Sequence, residues 1–163
     1  MGTTIRQYLR SRGLRNAELM AYLTGFVDGE GCFCVTFNRS RRQKFGWDIR
    51  PSFSVSQNHD RGELLNLYKA HFGCGTIRPD RSDRTLKYEV RSVSDLMEKI
   101  LPHFYKHPIL SGKRRDFQKF AEICSMMERK DHLRKEGFFR IVKLSEGLNS
   151  SGKKKYPRSE IKV

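Results

Sequence analysis

The stretch Leu23-Thr24-Gly25-Phe26-Val27-Asp28-Gly29-Glu30-Gly31 closes a run of apolar residues at helical spacing (Leu19, Met20, Tyr22, Leu23, Phe26, Val27) and leaves an acid at its foot. Asn16 reads as the N-cap, Glu18 falls in the first turn, and the helix is predicted to end at Gly29. Ala21 and Gly25, four residues apart, give it a face of small side chains that can press against a copy of itself. Two carboxylates meeting at the negative ends of two helices repel each other and the dipoles, and a divalent cation between them is the simplest remedy.

From Gly31 the period changes to two. Phe33, Val35 and Phe37 face one way and Cys32, Cys34, Thr36 and Asn38 the other, which predicts a strand with one apolar side. After a basic turn over residues 39–44 the alternation resumes, with Ile49, Phe53 and Val55 inward and Arg50, Ser52, Ser54 and Ser56 outward. Pro51 within that run marks an edge or a bulge. Asp60 and Glu63 have the spacing of a capping box before a second helix that ends at Gly73. Two short strands follow, near residues 75–78 and 86–91, the second with Leu86, Tyr88 and Val90 on one side and Lys87, Glu89 and Arg91 on the other. Ser92 or Ser94 caps a third helix through residue 101, residues 113–129 form a longer one, and residues 138–144 a last one before Gly147. The fold class is α+β, in the order αββαββα plus C-terminal helices. The boundaries are a basic arm over residues 1–15, expected to be mobile or to touch DNA, one domain over 16–147, and a basic flexible tail over 148–163 with almost nothing to bury.

The 163 residues carry 33 Lys and Arg against 18 Asp and Glu, a net charge of +15, which points to a polyanionic partner, nucleic acid first. No apolar stretch approaches the roughly 18 residues of a membrane span, and the N-terminus lacks a signal-peptide core, so neither a membrane nor secretion is expected. Cys32, Cys34, Cys74 and Cys124 lack the spacing of a disulfide framework, and a reducing intracellular setting follows. His59, His71, His103, His107 and His132 show no HExxH spacing and read as surface or interface residues rather than zinc ligands. The bare face of the sheet, with Arg50, Arg78, Lys87 and Arg91 among short polar side chains and Glu89, has the mixture that base reading in a groove requires.

With LTGFVDGEG at residues 23–31 and the αββαββα order after it, the chain resembles the LAGLIDADG homing endonucleases over roughly residues 16–129. The resemblance implies a saddle of antiparallel sheets in the DNA major groove, with the motif helices packed at the centre of the molecule. A single copy of the motif is similar to the homodimeric subclass, with Ala21, Thr24 and Gly25 at the dimer contact. One acid per chain serves one strand, so a two-fold pair suits a double-strand break. In the same correspondence Glu30 is the metal-binding acid, holding Mg²⁺ or Mn²⁺, while Asp28 braces the helix junction. Gln57 would order the attacking water, and Lys113 and Arg61 would stabilise charge. DNA contacts are implied at Cys32, Cys34, Thr36, Asn38, Ser40, Arg41, Arg42, Asp48, Arg50, Ser52, Ser54, Ser56, Arg78, Lys87, Glu89 and Arg91. Cys32 and Cys34 suit a thymine methyl better than a polar base edge.

The implied activity is a site-specific, metal-dependent double-strand break in a long pseudo-palindromic duplex, leaving short 3′ overhangs, by an intron-encoded enzyme with no small-molecule substrate. The compartment would be a bacterial or archaeal cytoplasm, a mitochondrion or a chloroplast. The rival reading is a non-cleaving binder of the same fold, an RNA splicing maturase or a DNA-binding regulator. Glu30, Gln57 and Lys113 together speak for the enzyme, because a binder has no need of an acid beside the phosphates.

Overall fold

Helix α2 (Asn16–Glu30) buries Leu19, Met20, Leu23, Thr24 and Val27 and runs straight into strand β1 (Gly31–Arg39). The computed structural model describes residues 5–80, 85–149 and 156–161. β1 is followed by β2 (Trp47–Asn58), α3 (Glu63–Phe72), β3 (Thr76–Pro79) and β4 (Thr85–Val90). These strands form one antiparallel sheet in the order β1-β2-β4-β3. Next come α4 (Val93–Asp95), a π-turn over Leu96–Ile100, and α5 (Leu101–Lys106), then α6 (Lys113–Glu128) and α7 (Lys135–Glu146). α2, α3 and α6 pack on one side of the sheet and leave the other bare.

The register places the expected alternation. Phe33 pairs with Phe53 and Phe53 with Val90, and Val55 pairs with both Gly31 and Tyr88. On the opposite face Cys32, Ser54, Glu89 and Thr76 form one row, and Ser56, Lys87 and Arg78 the next. The inner face meets the helices in an aromatic cluster: the Phe33 ring lies 5.3–5.4 Å from those of Phe53, Phe104, Phe117 and Phe120. Tyr68 of α3, fully buried, donates its hydroxyl to Leu23 O at 2.7 Å and so ties α3 to the motif helix. Pro51 pairs with Val35 in the half of β2 that has β1 as its only neighbour, where the missing N–H costs no ladder bond on the other side.

Several local expectations are corrected. Asn16 is the first helical residue rather than the cap. Arg15 holds the cap position, and its N–H is accepted by Glu18 at 2.7 Å. The helix runs one residue past Gly29, to Glu30. Asp60 caps nothing: a 3₁₀ turn at His59–Arg61 leads into α3, whose N-cap is Gly62. Gly73 ends α3 in the left-handed conformation at φ 63°, as its sequence position implied. Ser92, not Ser94, caps α4 by accepting Asp95 N–H.

In the expected N-terminal arm, Ile5–Arg12 forms helix α1, because Ile5, Tyr8 and Leu9 share one face and pack on the core. Residues 1–4 lie outside the described residues, as do 150–155 and 162–163 of the expected tail. The rest of that tail does bury side chains: Ile161 joins the core and Tyr156 packs edge-on to Trp47, with ring centroids 5.1 Å apart. Asn149 donates its amide to Phe33 O at 2.6 Å.

Of the histidines, His59 is exposed as expected and His103 is not. His103, only 7% exposed, lies between Thr24 Oγ1 and His71 Nε2, at 3.0 Å from each, with the His107 ring 5.1 Å away. Lys99 and Lys106 line the same cavity. Burial first, then His71 and His107, hold His103 down to about 3. The folded state therefore keeps it neutral while the unfolded chain protonates near the ordinary value of 6.5, so stability present above that value is lost as pH falls toward 3. Chemical denaturation is expected to show a loss of about 2 kcal/mol between pH 7 and pH 5. His103→Gln should remove most of that pH dependence.

Candidate active site and nucleic-acid interface

The foot of α2 is built by two residues that lie more than 80 positions downstream. Asp28 accepts Ser111 N–H at 3.1 Å and the Ser111 hydroxyl as well. Lys113, at the start of α6, sends its ammonium back to Val27 O at 2.9 Å, Gly31 O at 2.7 Å and Gly29 O at 3.4 Å. A helix end carries unsatisfied carbonyls and partial negative charge, and one lysine answers both. Gly31 is sterically required here: a Cβ would lie 2.5 Å from the Val27 side chain and 2.7 Å from Val27 O.

Glu30 follows directly. Its carboxylate is exposed and, among the described residues, has neither a hydrogen bond nor an ion pair. Hard oxygen donors suit a divalent cation. Among the described residues no group of three His, Cys, Asp or Glu side chains is placed to hold a metal ion. Gln57 lies two residues beyond Val55, the partner of Gly31, and hence at the same end of the sheet. Its amide oxygen is turned to Asn58 N–H at 2.7 Å. Arg61 pairs loosely with Asp60, 3.9 Å away on an exposed turn. The structure thus gathers Glu30, Asp28 and Lys113 closely, sets Gln57 at the same end, and gives Arg61 a different partner.

The outer face of the sheet carries the strand residues expected to meet DNA, with a charge arrangement that the pattern alone did not reveal. Arg50 pairs with Asp48 at 2.6 Å, Arg78 and Arg91 both reach Glu89 at 3.0 and 2.9 Å, and Lys87 reaches Asp80 at 2.6 Å. Asp80 was absent from the expected set because it lies just past β3. Ser52 and Ser54 are 9% and 8% exposed, since the central strand is flanked by longer side chains. Cys32 is held as a thiol: its bond with Cys34 and then burial push its pKa well up, against the pull of Lys113 and Lys87. Ser40, Arg41 and Arg42 continue the face into the β1–β2 turn. Trp47 stacks under the Arg39 guanidinium, 4.1 Å from its ring centre, and Phe45 packs on Phe138 rather than on Trp47.

The exposed side of α2 shows Ala21, Tyr22, Gly25 and Gly29. Thr24, expected at the dimer contact, is 7% exposed and bonded to His103, so it belongs to the inner side of the helix. Gly25 and Gly29 face open space: a Cβ at either would meet nothing within 4 Å.

Comparison with known proteins agrees with this geometry. Residues 23–124 match the family model described as LAGLIDADG endonuclease. A "Probable intron-encoded endonuclease 2" of Neurospora crassa is 31% identical over 142 residues, which is 84% of this chain and 31% of the relative. The chain therefore spans about a third of that relative's length. Among solved structures, the homing endonuclease I-TnaI is 37% identical with a TM-score of 0.77, covering 82% of this chain and 89% of that one. The archaeal intron-encoded homing endonuclease I-Vdi141I, solved in complex with DNA, is 28% identical with a TM-score of 0.82, covering 90% and 94%. With the motif, the αββαββα order and the family match over the same residues, the chain belongs to the LAGLIDADG endonuclease family.

Proposed function

We propose that the protein is a divalent-metal-dependent, intron-encoded DNA endonuclease that acts as a homodimer and makes a double-strand break in a long pseudo-palindromic duplex. The observation that carries this reading is the exposed Glu30 carboxylate at the helix end, unpartnered among the described residues, with the Lys113 ammonium bonded to the carbonyls on either side of it in sequence. Glu30 and its symmetry mate would hold Mg²⁺ or Mn²⁺ together with phosphate oxygens. When bound, the ion would supply Lewis acidity toward the scissile phosphate and make water acidic enough to attack at neutral pH.

The chain's own groups do the rest. Lys113 sets its positive charge beside the cleavage position, where charge develops on the phosphate, while it keeps the helix end in place. Gln57, released from Asn58 N–H, would order the attacking water. Arg61, on its exposed turn, adds positive charge near the backbone. The ion pairs on the sheet face occupy Arg50, Arg78, Arg91 and Lys87, and DNA phosphates or base edges would replace the carboxylates as their partners. Gly25 and Gly29, unexplained within one chain, suit the close approach of a second α2, which would bring the two copies of Glu30 together.

Five outcomes are expected. Glu30→Gln should reduce cleavage of a selected duplex at least 100-fold in Mg²⁺ while leaving DNA affinity within about threefold, read by gel shift in Ca²⁺. Cleavage of the same duplex at the wild-type rate by that variant would sink the proposal, and binding without any cleavage by the wild type would favour the maturase or regulator reading. DNA affinity should fall with salt at a log–log slope of about −0.9 per phosphate neutralised, and Glu89→Gln, which frees Arg78 and Arg91, should tighten non-specific binding. Sedimentation should show twice the chain mass of 19.1 kDa, and Gly25→Leu should yield a folded monomer.

A further inference from the structure

We propose that Ser111 is a positioning residue for the cleavage centre, a role that rests on the reading of Glu30 and Lys113 given above. Between Ile109, which is buried, and Phe117, also buried, no side chain of the connection into α6 is in the core. Leu110 is 90% exposed, and Ser111 and Gly112 are exposed as well. Packing therefore does not fix the first turn of α6. Hydrogen bonds through Ser111, together with those of the Lys113 ammonium, do.

Ser111 makes four such bonds, in two directions. Toward the motif helix, its N–H and its hydroxyl both donate to the Asp28 carboxylate. Toward α6, its hydroxyl oxygen accepts Lys113 N–H at 3.1 Å and its carbonyl accepts Arg114 N–H at 3.1 Å. Gly112, the residue at the helix cap, has no side chain to offer, so Ser111 satisfies the opening amides of α6 in its place. The serine is thus a bracket between the end of one helix and the start of the next, and the residue it steadies in α6 is Lys113.

The consequence reaches Glu30 by a short path. Lys113 Nζ gathers Val27 O and Gly31 O, which lie on either side of Glu30. If the first turn of α6 shifts, the ammonium leaves those carbonyls, the helix end frays, and the carboxylate loses its fixed place. Partners that orient a metal-binding group in this way are worth 10- to 100-fold in activity or metal affinity. The bonds of Ser111 go to Asp28 and to the start of α6. Its effect passes through Asp28 and Lys113.

The test compares wild type, Ser111→Ala, Ser111→Thr and Glu30→Gln, using a duplex selected by binding to the wild type in Ca²⁺. In the free protein, Ser111→Ala should speed amide hydrogen exchange about tenfold in residues 27–32 and 112–115 and leave the aromatic core unchanged. With DNA, it should lower kcat 10- to 100-fold, raise the half-saturating Mg²⁺ concentration, and keep DNA affinity within twofold. Ser111→Thr, which retains the hydroxyl, should restore both readouts. The proposal is overturned if Ser111→Ala cleaves at the wild-type rate and metal midpoint, if exchange over residues 27–32 is unchanged, or if exchange rises uniformly with a loss of stability that Ser111→Thr does not repair. Those results leave the endonuclease reading standing as long as Glu30→Gln is inactive. A wild type that binds but never cuts overturns both.

Discussion

One ammonium at the end of a helix buried along one face organises this molecule. α2 has to stop where the sheet begins, because Glu30 is its last residue and Gly31 the first of β1. A helix that ends without a left-handed glycine or a capping side chain of its own leaves carbonyls exposed, with the negative end of its dipole beside an acid. Lys113 answers this from 80 residues away, and the strand can begin at once in the extended conformation, at φ −83° and ψ 156° for Gly31. The abrupt helix-to-strand junction is what sets Glu30 at the rim of the polar face. A longer connection would have let that carboxylate wander.

The sheet face shows the same economy with charge. Arg50, Arg78, Lys87 and Arg91 are each met by Asp48, Asp80 or Glu89, and Glu89 serves two arginines. These are partly exposed pairs, worth little as stability. Their value lies in conformation: a guanidinium held out over the sheet by a neighbour has less freedom to lose when a phosphate or a guanine takes that neighbour's place. The thiols of Cys32 and Cys34 and the serines of β2 fill the rows between and keep the floor of the face short enough for a duplex to approach.

Much of this could be read in the residues. The period-two runs from Phe33 to Phe37 and from Ile49 to Val55 settled which side of each strand was apolar, and the register bears this out. Gly73 marked the end of α3, and the motif marked α2 and its acid. What escaped was of two kinds. Caps made by backbone groups, such as Arg15 N–H held by Glu18, leave no trace in residue type at the cap itself. Contacts across long stretches of chain, such as Ser111 with Asp28, His103 with Thr24 and Asn149 with Phe33, depend on the packed fold, and no local pattern encodes them. Helix α1 is a different case. Ile5, Tyr8 and Leu9 do have helical spacing, but four arginines over residues 1–15 obscured it.

The glycines of the motif separate what one chain needs from what it leaves to another. Gly31 is required inside the chain, since a side chain there would run into Val27. Gly25, in the interior of the helix, carries the conformational cost of glycine there, about 1 kcal/mol relative to alanine, and neither it nor Gly29 has a neighbour among the described residues that a Cβ would meet. Thr24, next to Gly25 in sequence, turns inward to His103, so the helix presents a polar anchor to its own core and Ala21, Tyr22, Gly25 and Gly29 to the outside. Close helix approach, as in the proposed homodimer, would make use of such a surface. It would place two copies of Glu30 at one centre, and the repulsion there would be relieved by the same cation that the cleavage chemistry needs. In that arrangement assembly and metal binding favour each other, so a loss of either is felt by both.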